Sequence, residues 1–192
     1  MAEVIYLTHP EVEIDPEVAV PDWGLSTRGA ARVAALAVRA WTQSRDWHVV
    51  SSAERKALET AWPLSPARRA VEVRPLLHEN DRSATGFLRG AEFEATADAF
   101  FATPDHSVRG WERAVDAQAR ILAEVKAVLA AQAGRQVLFC GHGGVGTLLY
   151  CALAGQAISR AWDQRGGGHW FAFDSESLQV AHHWRPMEGL CS

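Results

Sequence analysis

Gln136-Val137-Leu138-Phe139-Cys140, followed by Gly141-His142-Gly143-Gly144-Val145-Gly146, is the stretch that decides the architecture. Its first half is an apolar run of strand length. Its second half is a glycine-rich turn holding one histidine, and the apolar residues from there to about Ala154 read as a helix. A buried strand that turns through glycines into a buried helix is a unit of a parallel sheet covered on both faces. Upstream, Val4-Ile5-Tyr6-Leu7 is a second apolar run, stopping abruptly at Thr8-His9-Pro10. His48-Val49-Val50 is a third, leading into Ser51-Ser52 and a helix over 53–62, with Ser51 and Glu54 spaced as a capping box. A further short strand over 71–73 continues through Pro75 to Leu76-Leu77-His78-Glu79.

The segments between supply the helices. Val33, Leu36, Ala37, Ala40 and Trp41 recur at helical spacing within 25–41, behind Ser26 or Thr27 as a cap. Val115, Ala119, Leu122, Val125 and Leu129 make a similar stripe within 112–132, which Gly134 ends. Between 80 and 110 the pattern weakens, and a helix over 92–101 interrupted by Gly86, Gly90 and Pro104 reads as a helical insertion or lid. Residues 169–173 and 178–184, joined by Asp174 to Ser177, read as a β-hairpin. The expectation is an α/β fold, a three-layer α/β/α sandwich with a mainly parallel central sheet, in one domain over 1–192. The length agrees, at about 150 residues per domain.

Composition excludes several function classes. Nineteen Lys and Arg against 23 Asp and Glu give a net charge of -4, which offers no basic footprint for nucleic acid or an anionic membrane. The N-terminus has no basic region followed by a long apolar stretch, so neither a signal peptide nor a membrane anchor is expected, and the protein is expected to be cytoplasmic. Cys140, Cys151 and Cys191 form no C-x-x-C pair, against both a disulfide framework and a cysteine zinc site, and Cys140 is expected to be a buried small residue. Glu11 to Asp22 carries five acidic residues, no basic ones and two prolines, a composition suited to an exposed loop.

Sites in such sheets lie beyond the carboxyl ends of the strands, where helix N-termini point free N–H groups. The ionisable residues fall there: His9 after the first strand, Arg55 in the turn after the next, Glu79 after the short strand, and His142 in the glycine turn. Together they supply a nucleophile, an anion clamp, a proton donor and an oxyanion stabiliser. Gly141-x-Gly143-x-x-Gly146 also fits a dinucleotide fingerprint, with Asp163 at a suggestive distance, but no convincing second strand follows it. His169, His182 and His183 are expected to be ordinary hairpin residues, because neighbours on a strand point to opposite faces.

This order and context resemble branch 1 of the histidine phosphatase superfamily, the phosphoglycerate mutase-like proteins. Ile5-Tyr6-Leu7-Thr8-His9-Pro10-Glu11 aligns with the family's strand and R-H-G-E motif, and Leu25-Ser26-Thr27-Arg28-Gly29 is similar to its L-T-x-x-G helix start. The segment from Ser51 to Ala61 looks like its S-S-x-x-x-R-A-x-x-T-A, and Gly141-His142-Gly143-Gly144-Val145 resembles its S-H-G-G-V. The resemblance implies a phosphomonoesterase acting on a small phosphorylated substrate, with no metal and no cofactor. It implies that His9 is phosphorylated, that Arg55 and His142 hold phosphoryl oxygens, and that Glu79 serves as general acid and then base. It also implies that Thr8 and Gly143 lie at the phosphate.

Thr8 stands where the family motif has arginine and Pro10 where it has glycine, one cation and one backbone donor fewer. Arg28 or Arg82, next to expected pocket-edge turns, is expected to compensate. The alternative is an impaired member that binds a phosphorylated ligand or protein without turnover.

Overall fold

The computed structural model describes residues 2–38, 46–65 and 71–190. Strands β1 (Glu3–Thr8), β2 (His48–Ser51), β3 (Glu72–Val73), β4 (Val137–Gly141), β5 (His169–Asp174) and β6 (Arg185–Pro186) form one sheet in the order β3-β2-β4-β1-β5-β6. The first four are parallel, and β5 and β6 run antiparallel at one edge. Helices α1 (Thr27–Ala37), α2 (Arg55–Leu64), α3 (Gly90–Ala102), α4 (Ala114–Ala131) and α5 (Gly143–Leu153) flank it.

Alternation along the central strands sorts their side chains between two cores. Val4, Tyr6, Val137 and Phe139 pack with Ile121 and Val125 of α4 and Leu148 of α5. Ile5, Leu7, Leu138 and Cys140 pack on the other face with Val33 and Leu36 of α1 and Ala61 and Leu64 of α2. The layering is the expected three-layer α/β/α sandwich, and Cys140 is fully buried. Within 80–110, α3 turns Phe100 and Phe101 into the first core beside Trp111. No helix among the described residues is long and apolar enough to cross a membrane.

Three local expectations give way. Ser51 is still in β2, where its hydroxyl donates to the Ser52 carbonyl at 2.9 Å, so the capping box does not form and α2 starts later, at Arg55. The expected hairpin partner over 178–184 meets β5 only at the Phe173–Val180 bridge, and regular pairing is left to Arg185–Pro186. The return chain meets its neighbours through side chains instead: His182 sits against Trp170 of β5 at 4.4 Å between ring centres, and His183 against Tyr150 of α5 at 4.8 Å. At the far end of α1, Ala40 and Trp41 lie outside the described residues, as does Cys191.

Candidate active site

Register brings the ends of three strands level. Leu7 and Ser51 both pair with Cys140, and Thr8 with Gly141, so the residues that follow converge. The His9 amide donates to the Gly141 carbonyl at 3.0 Å and the Ser52 amide to the Cys140 carbonyl at 3.3 Å. Buried Tyr6 fixes the backbone of His142 from below: its hydroxyl accepts from the His142 amide at 3.1 Å and donates to the carbonyl at 3.2 Å. The glycine-rich turn exists to admit this ring. A Cβ on Gly141 falls 2.3 Å from the Tyr6 oxygen, and one on Gly146 falls 2.5 Å from the Tyr6 ring. Packing therefore explains the spacing that also fits a dinucleotide fingerprint, and Asp163 is engaged by the Thr147 hydroxyl at 2.8 Å.

The His9 and His142 rings lie 5.3 Å apart, centre to centre. His9 Nδ1 is 2.9 Å from the Pro10 carbonyl, so Nδ1–H donates and Nε2 keeps its lone pair. Burial, with the His142 charge, pushes His9 down to about 3, which leaves it neutral and nucleophilic at neutral pH. His142 is fully buried, and burial lowers its pKa against the pull of Glu54 and Glu79. Its Nε2 is 2.7 Å from Ser52 Oγ, while Nδ1 has no hydrogen-bond partner among the described residues. Ser52 Oγ accepts from the Glu54 amide at 3.3 Å, so its own hydrogen is available to Nε2, and a neutral His142 accepting it carries its proton on Nδ1.

Two carboxylates close the group. Glu79 caps α5: Oε2 accepts from the Gly144 amide at 3.1 Å, and Oε1 from the Val145 amide at 2.8 Å. Burial opposes its ionisation, yet the charges of Arg82 and His142 and the Val145 amide hold it below the usual carboxylate range. Glu54 takes the Glu79 amide at 2.9 Å, lies 3.5 Å from His142 Nε2 and pairs with buried Lys56. Burial would raise Glu54, but the facing charges of His142 and Lys56 bring it down to about 2.

The remaining sequence candidates divide. Arg55 is not brought to the site: its side chain is 62% exposed and pairs with Glu59 at 2.7 Å. The inward cation is Lys56, on which the arginine of S-S-x-x-x-R falls when counted from Ser51. Arg28 is also outside, exposed and paired with Glu11 at 3.1 Å. Thr8 is buried with its hydroxyl committed to Gln164 at 2.7 Å and to the His169 amide at 3.0 Å. Gly143 opens α5 with the Gln164 amide group against it. Arg82 is stacked over Phe93 and Trp111, 5.4 and 5.6 Å from their ring centres, with no ion pair among the described residues. Ser52, Glu54, Lys56, Asn80 and Gln164 were missed; the doublet Ser51-Ser52 and the inward phase of α2 were the signals for the first three.

Arg55→Ala is accordingly expected to change stability by less than about 0.5 kcal/mol, as for an exposed helix pair. Thermal melting checks this.

The sequence profile of the histidine phosphatase superfamily (branch 1) matches residues 8–170. The chain belongs to that superfamily. Solved structures share the fold over nearly the whole chain. A mycobacterial glucosyl-3-phosphoglycerate phosphatase in complex with VO3 is 26% identical, covers 96% of each chain and has a TM-score of 0.73. Bacillus stearothermophilus YhfR is 19% identical, covers 95% of each chain and has a TM-score of 0.77. A phosphoserine phosphatase of Entamoeba histolytica, solved with phosphoserine, is 14% identical, covers 95% of this chain and 96% of its own, and has a TM-score of 0.75. No curated protein sequence matches. Membership of the histidine phosphatase superfamily supports phosphatase chemistry in general.

Proposed function

We propose that the protein is a phosphomonoesterase, in a single domain, that works through a phosphohistidine on His9. The observation that carries this reading is the placement of the His9 ring, whose Nδ1 lies 2.9 Å from the Pro10 carbonyl and whose Nε2 has no hydrogen-bond partner among the described residues, 5.3 Å between centres from the His142 ring. Nε2 attacks phosphorus and the ester P–O bond breaks. His142 Nδ1–H, the Gly143 amide at the start of α5, Arg82 and Lys56 stabilise the transferring group. Arg82 supplies the cation that Thr8 does not. Glu79 protonates the leaving oxygen, then takes a proton from the water that breaks the P–N bond. An arriving phosphate anion raises the Glu79 pKa from its depressed value, which puts the proton on the carboxyl when it is needed.

The test is incubation with a labelled phosphomonoester, quenching, and a search for acid-labile, base-stable label on the protein. Label is expected at pH 5 as at pH 7, because His9 titrates near 3. A histidine at an ordinary 6.5 would lose about 30-fold of its neutral form at pH 5. A labelling level that falls tenfold or more at pH 5 contradicts the environment assigned to His9.

The second reading, a ligand-binding member without turnover, is favoured by the Glu54–Lys56 pair, which spends the inward cation inside the protein. It predicts no label and no phosphate release, with thermal stabilisation by phosphorylated ligands retained.

A further inference from the structure

We infer that the site takes the phosphate monoester of an uncharged, ring-bearing alcohol, whose body fills the cavity bounded at its inner end by Glu54 and Glu79. The inference rests on the phosphatase reading above. That cavity has a volume of about 1010 Å³ and is walled by Trp23, Phe87, Phe93 and Trp111. Cavities of roughly 300–1,000 Å³ suit drug-sized molecules, so a glycerate or a serine would leave most of this one unfilled.

The aromatic wall is set before any ligand arrives. The Trp23 indole N–H donates to the Asp15 and Val18 carbonyls at 2.9 and 3.0 Å, which anchors the acidic loop as one side of the cavity. Phe87 meets Trp23 edge-on, 5.0 Å between centres. Ring edges and faces arranged this way favour a flat apolar guest. Charge selects against anionic alcohols: of the five carboxylates lining the cavity, Glu54 and Glu94 pair with Lys56 and Arg160, which leaves Glu17, Glu79 and Asp81 against Arg82 and Arg89. Glu54 and Glu79 bring two of those carboxylates to the inner end, where the alcohol meets the phosphoryl group.

The experiment compares kcat/KM for 1-naphthyl phosphate and for 3-phosphoglycerate in the wild type, Phe87→Ala and Phe87→Leu, and measures 1-naphthol binding by calorimetry in the same proteins. The naphthyl ester is expected to be preferred by about tenfold or more, the worth of one buried ring contact. Phe87→Ala is expected to narrow that preference through KM, and Phe87→Leu to restore part of it. Equal or better use of 3-phosphoglycerate, or a preference untouched by Phe87→Ala, overturns the inference. If neither ester is hydrolysed, the phosphatase reading has failed, and naphthol decides the ligand class separately. Binding that weakens about tenfold in Phe87→Ala upholds a ring-binding cavity, and no binding to the wild type overturns it.

Discussion

His9→Ala is expected to lower phosphate release by about a thousandfold or more and to abolish acid-labile label, since the other nucleophilic side chains at these strand ends, Ser52 and Cys140, are fully buried. Ser52 is hydrogen-bonded to His142, and Cys140 is buried with its pKa raised by desolvation. Stability moves differently. His9 is half-buried with one hydrogen bond to the backbone, so the cost at pH 7 is modest. Because its pKa is lowered from 6.5 to about 3 in the folded protein, the unfolded chain takes up a proton first as the pH falls. The wild type therefore loses stability through the window from 6.5 down to 3, and the alanine variant, having no such group, loses less. Melting curves at pH 7 and pH 4 are expected to show the gap between the two proteins closing or reversing at the lower pH. Phosphate release that survives in His9→Ala at the wild-type rate removes His9 from the chemistry and the proposed cycle with it.

What the sequence revealed, and what it hid, follows from how local each feature is. His9 and His142 were legible because each directly follows a buried apolar strand, and parallel register then aligns their strand ends. The helical stripes in 25–41 and 112–132 were legible for the same reason, as repeated burial on one face. Arg55 was the costly misreading. A helix advances about 100° per residue, so placing the start of α2 early and taking 55 rather than 56 as the inward cation exchanges solvent for the protein interior. Lys56 was also unexpected as a type, since lysine is almost never fully buried without a partner, and its partner Glu54 was assigned to a cap. The depressed pKa of Glu79 depends first on the charges of Arg82 and His142 and then on the Val145 amide, and the last two lie sixty-three and sixty-six positions along the chain, where no local pattern reaches. The return chain after β5 pairs regularly only at Arg185–Pro186, and alternation of residue types over 178–184 does not register that its histidines meet the rings of Trp170 and Tyr150.

Glu54→Gln is expected to have the largest effect on stability, and to affect phosphate binding in the opposite direction. Glutamine keeps the shape and an acceptor for the Glu79 amide but removes the charge opposite Lys56, whose side chain is 4% exposed. A buried cation without its counterion costs about 3–5 kcal/mol, or about 10 °C in Tm for a chain of this length. Glu54 is lowered from 4.5 to about 2, so its contribution is complete above 4.5 and fades as the pH falls toward 2. The deficit of the variant should accordingly be greatest at neutral pH and shrink in acid. The same freed charge acts at the histidine pair, since Lys56 lowers the pKa of both His9 and His142. Inorganic phosphate is therefore expected to bind the variant more tightly than the wild type and to return part of the lost Tm, because a ligand that binds only the folded state stabilises it in proportion to its affinity. Equal stabilisation of both proteins by phosphate would mean that Lys56 does not face the anion. In that case Arg82 and the α5 amides alone would have to hold the phosphoryl group. A larger shift in Glu54→Gln would identify the Glu54–Lys56 pair as the feature that weakens the anion site in this chain, an inward cation neutralised from within.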